Sequence, residues 1–404
     1  MTLVVSRRCA VLRVLCALAV VCTMPSAFIH AQTASASVAL RAENTLAIAR
    51  ADETVGVPWA SLVALLPAVR ANNVRVLDAG TGIEIVSQVV DDDGDGTPDE
   101  LIFQSDFAAG ETRGFTVQSA PATAAFKKGR VYVTHTEPRD DMAWESDRIG
   151  FRMYGKGLYK VDSLDSPGID IWNKRTRDLI VDKWYKKGHD AYHTDSGEGA
   201  DFYDVGHSLG TGGTALWVNG ALVYAHNFTT HRIIAEGPIR VIFEVGYEPW
   251  GPPGLRVAET KRISLDAGRN LNKSTSIFRA VDGATDIPYA TGTVKRAGMI
   301  GLESRANHWA WLAGWGAVLL KGGGHGELGT AVLLPRDQVT DWKETDDHYL
   351  AIAHAKPGAP VTHYFGAGWT ASLDFRDLHD WYTYLNQMAV RYDTPVKVTL
   401  AVSR

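Results

Sequence analysis

Short runs in which apolar and polar residues alternate recur along most of this chain. They include VRVLDA, EIVSQVV, ELIFQS, VYVTHT, PIRVIFEVGYEPW and VTHYFGAGW, and glycine, aspartate or proline residues separate them. A period of two is typical of antiparallel strands that bury one face. Helical patterns do not alternate with these runs, which disfavours a parallel sheet. The sequence therefore predicts a mainly β fold: a large antiparallel β-sandwich preceded by a small β domain.

The expected boundary between these domains lies in SAPATAAFKKG, residues 119–129, where small and polar residues are typical of a linker. Residues 32–125 would form the small β domain, and residues 126–404 the large sandwich. Within the sandwich, TALWV and ALVYA flank Asn219-Gly220, a dipeptide that favours the type I′ turn of a hairpin.

Two helices are expected in the large sandwich. RDLIVDKWYKKG ends in lysines and Gly188, as helices commonly end. DFRDLHDWYTYLNQMAV places large apolar side chains on one face, which is expected to pack on the sheet edge before a last strand, VKVTLAVS. These side chains are Leu378, Trp381, Leu385 and Met388.

Residues 1–31 are expected to be a signal peptide, so that the mature protein is periplasmic or secreted. Three arginines precede an apolar stretch at residues 14–21, which is too short to span a membrane, and a small-residue cleavage motif ends at Ala31. No stop-transfer pattern follows in the sequence, so stable membrane insertion is not expected. The alternatives are a buried N-terminal helix and a lipoprotein modified at Cys22.

Composition excludes several classes of function for the mature chain. All three cysteines, Cys9, Cys16 and Cys22, lie in the export segment, which excludes disulfides, thiolate metal sites and a cysteine nucleophile. The net charge is −5, and becomes more negative without the export segment's arginines, which disfavours nucleic acid as a partner. The 12 tryptophans and 14 tyrosines suit sugar stacking, although aromatic residues are also common in cores.

The segment HDAYHTDSGEGADFYDVGHSLGTGG, residues 189–213, combines many titratable groups with a glycine-rich backbone. Glycine permits sharp turns and close approach to a ligand, and loops on a rigid sheet commonly carry active sites. The segment is therefore a candidate catalytic loop, with an ordered surface loop as the alternative. Its candidate proton-transfer and binding residues are His189, Tyr192, His193, Tyr203 and His207.

Cations and aromatic residues flank this loop in an otherwise acidic chain. A cluster of such cations would suit a carboxylate or sulfate ligand, whereas any single one could form an ordinary surface salt bridge. The flanking candidates are Arg152, Tyr154, Lys156, Trp172, Lys174, His226, His231 and Arg232.

Metal signals in the sequence are weak, and no metal or other cofactor is expected. DDDGDGTPDE, residues 91–100, resembles a calcium loop, but position twelve is Ile102, so an acidic hairpin turn is preferred. His189 and His193 have the spacing of helical zinc ligands, but this Gly- and Asp-rich segment is not expected to be helical. No GxSxG elbow supports a serine hydrolase, and no carboxylate pair stands out for a glycosidase.

Five motifs together resemble a known bacterial family. DRIGFRMYGKG, SGEGADFYDVGHSLGTGG, EGPIRVIFEVGYEPW, ETKRISLDAGRNLNKSTSIF and HYFGAGW are similar to a polysaccharide-utilisation family formerly described as a domain of unknown function, one branch of which is the oligosaccharide dehydratase of ulvan degradation. The resemblance covers the chain from about residue 36 onward. It implies a supersandwich similar to galactose mutarotase and to several polysaccharide lyases.

The residues suit β-elimination on an acidic oligosaccharide that contains uronate, with or without sulfate. A base removes the C5 proton, an acid protonates the group leaving C4, and a cation neutralises the carboxylate. Loss of a hydroxyl is a dehydration, and loss of a sugar is a lyase cleavage. The alternatives are a non-catalytic carbohydrate-binding protein and a hydrolase or epimerase on the same fold.

His207 and Tyr203 are the expected catalytic pair, with His193 as the rival histidine. Arg152 is expected to lower the pKa of Tyr203. Arg152, Lys174 or Arg232 would neutralise the substrate carboxylate. The remaining candidates for substrate binding are Trp172, His189, Tyr192, His226 and His231.

We predict that the mature protein begins at Gln32. The basic start, the short apolar stretch and the small-residue motif before this position favour cleavage there. N-terminal sequencing of exported material measures the first residue. A sequence that starts at Met1 would contradict the prediction.

Overall fold

The computed structural model describes residues 37–120, 129–162, 165–318, 325–372 and 374–402. The expected signal peptide and the domain boundary at residue 125 lie outside these ranges, so both stay predictions. Residues Ala36–Arg404 form one compact unit. No helix among the described residues is long and apolar enough to cross a membrane.

The first described segment contains short strands and one helix. Their bounds are β1 (Ser37–Glu43), β2 (Arg50–Pro58), α1 (Trp59–Leu65), β3 (Val74–Asp78), β4 (Glu84–Ile85), β5 (Ser87–Val90), β6 (Glu100–Phe107) and β7 (Thr112–Ser119).

The next segment carries the strands and short helices that position most of the candidate residues. Their bounds are β8 (Val131–Thr136), β9 (Asp141–Ser146), β10 (Gly150–Tyr154), α2 (Gly157–Asp162), β11 (Asp170–Lys174), α3 (Val181–Lys187), α4 (His189–Tyr192) and β12 (Gly199–Asp201).

The rest of the chain is almost entirely strand, with one long helix near the C-terminus. Bounds are β13 (Thr211–Val218), β14 (Ala221–Val223), β15 (Thr230–Glu236), β16 (Arg240–Trp250), β17 (Val257–Asp266), β18 (Leu271–Ala280), β19 (Ile287–Val294), β20 (Ile300–Ser304), β21 (Trp309–Ala317), β22 (Glu327–Pro335), β23 (Val339–Glu344), β24 (His348–Ala355), β25 (Pro360–Trp369), α5 (Leu378–Asp393) and β26 (Lys397–Val402).

Two small sheets form the N-terminal sandwich, with the orders β26–β1–β7–β3–β4 and β2–β6–β5. The alternation in β1 buries Val38, Leu40 and Ala42 against this core. The last strand of the chain completes the first sheet, since Val38 pairs with Val402 and Glu43 with Lys397. This N-terminal sandwich is thus completed by a C-terminal strand, which the alternating pattern could not show.

Three further sheets make up the large sandwich. Their orders are β12–β11–β10–β9–β8, β14–β13–β19–β24–β23 and β15–β16–β17–β18–β25–β22–β21–β20. One apolar core joins them, with Trp144 and Phe151 from the first sheet, Tyr289 from the second, and Phe243 and Phe365 from the third. The described strand pairs are antiparallel, so the predicted mainly β, antiparallel sandwich is confirmed.

Two predicted turns are also confirmed. Asn219 and Gly220 have φ angles of 51° and 82°, as a type I′ turn between β13 and β14 requires. The acidic segment at residues 91–99 joins the antiparallel strands β5 and β6, so it is a hairpin loop.

Both predicted helices form, with shifted bounds. α3 ends before Gly188, and it begins at Val181 because Glu145 from β9 accepts the backbone amides of Ile180 and Val181. The expectation that residues 189–193 are not helical is wrong, because α4 forms one turn there.

The C-terminal helix α5 begins after Asp377, whose side chain accepts the amide of Asp380. Its apolar face packs on the face of β21 and β22, not on the sheet edge as predicted. Gly329 of β22 and Gly368 of β25 pair across the sheet, and a Cβ on either would overlap the Trp381 ring. The two glycines therefore create the space that Trp381 fills.

We predict that Trp381→Ala lowers the free energy of unfolding by about 3–5 kcal/mol, the usual loss for a buried tryptophan. The side chain is fully buried, and the two glycines leave a cavity that cannot collapse. Tyr382→Ala is the matched control, because Tyr382 follows on the same helix but is 40% exposed. Urea unfolding measures both variants, and equal losses would contradict the packing argument.

Candidate functional site

The outer face of the sheet β8–β12 carries a group of buried polar side chains. Arg152 on β10 pairs in register with Asp170 on β11, and Trp172 on β11 pairs with Asp201 on β12. Side chains on directly paired residues point to the same face of a sheet. The short helices α3 and α4 cover this face.

Arg152 is the centre of this cluster. Its Nη2 atom lies 2.7 Å from a carboxylate oxygen of Asp170 and 2.7 Å from one of Asp201. Its Nη1 atom donates to the Tyr192 hydroxyl at 3.0 Å, and the Tyr154 hydroxyl donates to the Asp170 carboxylate at 3.0 Å. Only 6% of the Arg152 side chain is exposed, so its charge is neutralised inside the protein.

His193 lies at the rim of the cluster, with 30% of its side chain exposed. Its Nε2 is 3.3 Å from Asp201, and its Nδ1 is 2.8 Å from the His189 carbonyl oxygen. The hydrogen bond with Asp201 raises the pKa of His193. Acceptors face both ring nitrogens, so the protonated form of His193 is favoured and neither nitrogen is free for a substrate.

The two carboxylates around Arg152 differ in acidity. Burial and then the Asp201 charge raise the pKa of Asp170. Burial also acts to raise the pKa of Asp201, but Arg152 and His193 outweigh it, so that this pKa is lowered. The ionised Asp201 thus binds both cations, and the cluster holds α4 against the sheet.

Trp172 and Lys174 belong to the same face and are closed to substrate. Trp172 is fully buried beneath the Arg152 guanidinium and stacks on Trp184, so it cannot stack on a sugar. Lys174 is fully buried in an ion pair with Glu145 and also donates to the Ser146 carbonyl. His189, by contrast, is exposed beside Asp190.

Arg232 lies elsewhere, against the acidic hairpin loop. It donates to the backbone carbonyls of Asp93 and Gly94 and pairs with Glu244. Asp91 already accepts the backbone amides of Gly94, Asp95 and Gly96. Arg232 and the loop amides therefore form hydrogen bonds with backbone carbonyls and a carboxylate, the oxygen groups that a calcium loop would direct toward the ion.

The cations expected to neutralise a substrate carboxylate are thus all engaged by the protein. Arg152, Lys174 and Arg232 each form an ion pair with a protein carboxylate. Arg152 and Lys174 are buried with their partners, so binding a ligand in place of those partners would leave unpaired charge. The expectation for these two residues is corrected on this ground. For Arg232, whose side chain is 49% exposed, it stays a prediction.

The expected contact between Tyr203 and Arg152 is not formed. The Tyr203 ring is buried in the sandwich core, and burial raises its pKa. The cation over its ring is Arg296, at 5.1 Å. Arg296 also donates to the carbonyls of Tyr203 and Asp204, so it fixes the loop backbone.

His207 and His226 meet at Asp165, a residue that the sequence did not single out. The Nδ1 of His226 is 2.7 Å from the Asp165 carboxylate, and the Nδ1 of His207 is 2.7 Å from the Asp165 backbone carbonyl. Both histidines are exposed, 82% in the case of the His226 side chain. The Tyr224 ring lies edge-on to His207, with ring centroids 4.9 Å apart. We call Asp165, His207, Tyr224 and His226 the Asp165 site.

Backbone contacts bring the segments of the Asp165 site together. Ser166 donates to both loops: its amide donates to the side-chain oxygen of Asn227, and its hydroxyl donates to the Gly206 carbonyl. Asn227 in turn donates to the Gly155 carbonyl at 3.1 Å. The spacing of these residues along the sequence does not reveal this convergence.

His231 is also placed apart from the Asp165 site. It lies on β15, where its ring stacks on His135 of β8. The structure therefore divides the predicted histidines into three groups: His189 with His193, His207 with His226, and His231 with His135.

The protein shares its sequence family with uncharacterised relatives. A family model described as Domain of unknown function (DUF4861) matches residues 42–398. The chain belongs to this family. An uncharacterised protein of Formosa agariphila is 30% identical over 379 residues, which cover 89% of this chain and 92% of the relative.

Solved structures of other proteins share the fold. A protein in glycosyl hydrolase family 38 from Enterococcus faecalis matches 91% of this chain with a TM-score of 0.52 and 11% identity. An α-mannosidase from the same organism matches 91% of it with a TM-score of 0.51 and 11% identity. The chain spans about half of these proteins, 48% and 46% of their lengths. At this identity the likeness shows the fold alone.

We predict a pH-dependent stabilisation by His193. The pKa of histidine in an unfolded chain is about 6.5, and Asp201 raises it in the fold. The pair therefore stabilises fully below about pH 6.5, and this contribution is lost as the pH rises through the raised pKa. The free energy of unfolding in urea, measured from acid to alkaline pH, should show a difference between wild type and His193→Gln that shrinks with rising pH.

His189→Gln is the control for this measurement, because His189 begins the helix that ends before His193 and its ion pair is with the exposed Asp190. Its difference from the wild type should not follow pH in the same way. A pH-independent difference for His193→Gln would show that the ion pair with Asp201 does not contribute.

Proposed function

We propose that this protein is a carbohydrate-active enzyme that performs β-elimination on uronate oligosaccharides at the Asp165 site. The observation that carries the proposal is the arrangement of two exposed imidazoles, those of His207 and His226, on one aspartate. In the part of the chain that the structure describes, neither Nε2 atom has a hydrogen-bond partner. Both atoms are therefore open to a substrate.

The contacts with Asp165 select the reactive form of each histidine. A carbonyl oxygen only accepts, so the Nδ1 of His207 carries a proton, and in the neutral ring Nε2 carries the lone pair. The carboxylate selects the same form of His226 and stabilises the imidazolium that follows proton uptake. Each ring can thus act as a general base through Nε2.

Tyr224 is the proposed acid. Burial, and then the Asp347 charge, raise the pKa of Tyr224 to about 12, so it keeps its proton at neutral pH. Its ring lies beside His207, within one site. A protonated phenol next to a basic imidazole supplies the two opposite proton-transfer roles that an elimination requires.

The steps balance without a cofactor. An imidazole Nε2 takes the C5 proton, the C5–H electron pair forms the C4–C5 double bond, and the C4–O bond breaks. The Tyr224 hydroxyl protonates the departing oxygen. A departing hydroxyl leaves as water from an intact chain, whereas a departing sugar leaves with cleavage of the chain. We favour dehydration at the non-reducing end, because the sequence resembles the ulvan dehydratase branch.

Lys156 is the proposed partner of the substrate carboxylate. Lys156 is exposed, and it forms no ion pair with any residue that the structure describes. Its backbone amide donates to the Phe228 carbonyl at 2.9 Å, which places it close to His226 in the fold. A cation near the carboxylate would favour the negative charge that develops when C5 loses its proton.

The fold and the sequence resemblance support a carbohydrate substrate. Related folds carry different reactions, however, so a hydrolase, an epimerase and a non-catalytic carbohydrate-binding protein are the competing functions. Ultraviolet absorbance separates them, because only elimination creates a double bond conjugated with the carboxylate. Product mass then distinguishes dehydration from chain cleavage.

We predict that His226→Ala, His207→Ala and Tyr224→Phe lower kcat, the largest of the three effects being roughly a hundredfold or more, the usual scale for a lost general acid or base. The rate of ultraviolet absorbance increase on uronate oligosaccharides measures kcat. Lys156→Ala should raise KM and also lower kcat, since the ammonium would contact the carboxylate of the bound substrate and stabilise the charge that develops when C5 loses its proton. Each substitution lies at the surface or at its edge, so the folds should remain intact by circular dichroism.

His354→Ala is the matched control, because His354 is an exposed histidine paired with an aspartate, Asp286, outside the Asp165 site. It should keep full activity. If wild type produces the chromophore and all three site variants retain near-full kcat, the Asp165 site is not catalytic. If wild type binds uronate oligosaccharides without producing any chromophore, the lyase proposal itself fails.

A further inference from the structure

Two edge strands from different sheets approach each other on one side of the large sandwich. β8 is the last strand of the sheet β12–β11–β10–β9–β8, and β15 is the first strand of the eight-stranded sheet. His135 of β8 and His231 of β15 stack there, with ring centroids 3.7 Å apart and an angle of 16° between the ring planes. The two sheets thus meet through a pair of imidazoles.

Asp140, in the turn between β8 and β9, completes this group. One of its carboxylate oxygens is 2.7 Å from the Nε2 of His135. One ligand atom from each of His135, Asp140 and His231 lies within 4.8 Å of the other two. We call these three residues the β8–β15 site.

The local backbone holds Asp140 in place independently of any ligand. Its φ of 58° is in the left-handed region, and its second carboxylate oxygen accepts the Gly157 amide at 2.8 Å. Its backbone carbonyl accepts the Gly155 amide at 2.7 Å. A Cβ at either Gly155 or Gly157 would overlap Asp140, so glycine at these positions permits the close approach. The carboxylate is therefore preorganised beside the imidazole pair.

The donor set indicates the class of ligand. Two imidazole nitrogens and one carboxylate oxygen suit Zn²⁺ and neighbouring divalent transition metals. Calcium and magnesium prefer sites made of oxygen ligands. His231 is exposed, so water could complete the coordination on the solvent side. A face-to-face imidazole pair would also repel if both rings were protonated, whereas a shared cation binds both neutral rings.

We propose that His135, Asp140 and His231 bind one divalent transition-metal ion, such as Zn²⁺. The ion replaces the proton in the hydrogen bond between His135 and Asp140, and that proton leaves to solvent. Because the ligands come from β8, β15 and the turn after β8, the bound ion links the edges of two sheets. Its role is to stabilise the sandwich, and the proposal is independent of the elimination chemistry at the Asp165 site.

The test uses the full chain, stripped of metal by a chelator and dialysed. Calorimetric titration with zinc chloride should show one high-affinity ion per chain, and the ion should raise the melting temperature by mass action. His135→Ala and His231→Ala should each weaken binding at least tenfold, since even outer-shell substitutions at metal sites cost roughly ten- to a hundredfold. Visible spectra with Co²⁺ should show ligand-field bands that both substitutions abolish.

Two further variants make the assignment specific. His354→Ala removes a histidine of similar exposure that lies outside the site, and it should bind zinc as the wild type does. His226→Ala tests whether zinc binds at the Asp165 site instead, and it should leave zinc binding unchanged. His231→Gln, a polar replacement at an exposed strand position, provides a second folded variant if His231→Ala unfolds.

Three results would overturn the proposal. The first is that the stripped chain binds no stoichiometric zinc. The second is that binding persists unchanged in both His135→Ala and His231→Ala. The third is that binding is lost in His226→Ala but retained in His231→Ala, which would move the ion to the Asp165 site.

Discussion

The buried guanidinium of Arg152 contacts two carboxylates from neighbouring strands, Asp170 of β11 and Asp201 of β12. An unpaired charge at this depth would destabilise the fold by several kcal/mol, so these strands and α4 must assemble together. The hydroxyl of Tyr192 and the ring of His193 join the same network. The catalytic-loop candidate consequently leaves the sheet from a fixed point, and the position of His207 further along that loop depends on it.

The same loop therefore contains histidines of two physical kinds. His193 has acceptors at both ring nitrogens, and its proton stabilises the ion cluster. Among the described residues, His207 has a partner at Nδ1 and none at Nε2. The number of free nitrogens, and not the proximity of titratable residues in the sequence, separates a histidine that holds the fold from one that can exchange protons with a substrate. On this ground the proposed site keeps His207, the expected histidine, and excludes its rival His193. Tyr203 is excluded because its ring is buried in the core, and Tyr224 and His226 lie beside His207 instead.

Local patterns predicted the local structure well. Alternation identified the antiparallel sandwich, Asn219-Gly220 identified its hairpin, and the apolar face of α5 identified its buried side chains. Long-range strand pairing was not predicted, because no local sequence pattern indicates that β26 pairs with β1.

The candidate site could be predicted only in part for the same reason. His207 and His226 were found because histidines are conspicuous in the sequence, whereas Asp165 and Tyr224 look ordinary until the fold joins three distant segments. The charges were misjudged in the other direction. The sequence presents Arg152 and Lys174 as available cations, but each forms a buried ion pair with a carboxylate on another strand of the same sheet.

This use of cations constrains how the protein could recognise an acidic oligosaccharide. The chain carries a net charge of −5, so long-range attraction to an anionic substrate is not expected. Under the proposed function, affinity must come from a few local contacts. Exposed Lys156 forms no ion pair within the described residues, and its amide donates to Phe228, two residues after His226. A single flexible ammonium neutralises a carboxylate without the fixed two-point geometry of an arginine. Discrimination between sugars would then have to rest on how the ring presents its C5 proton to Nε2 and its C4 oxygen to Tyr224, that is, on the geometry of the reaction more than on the strength of binding.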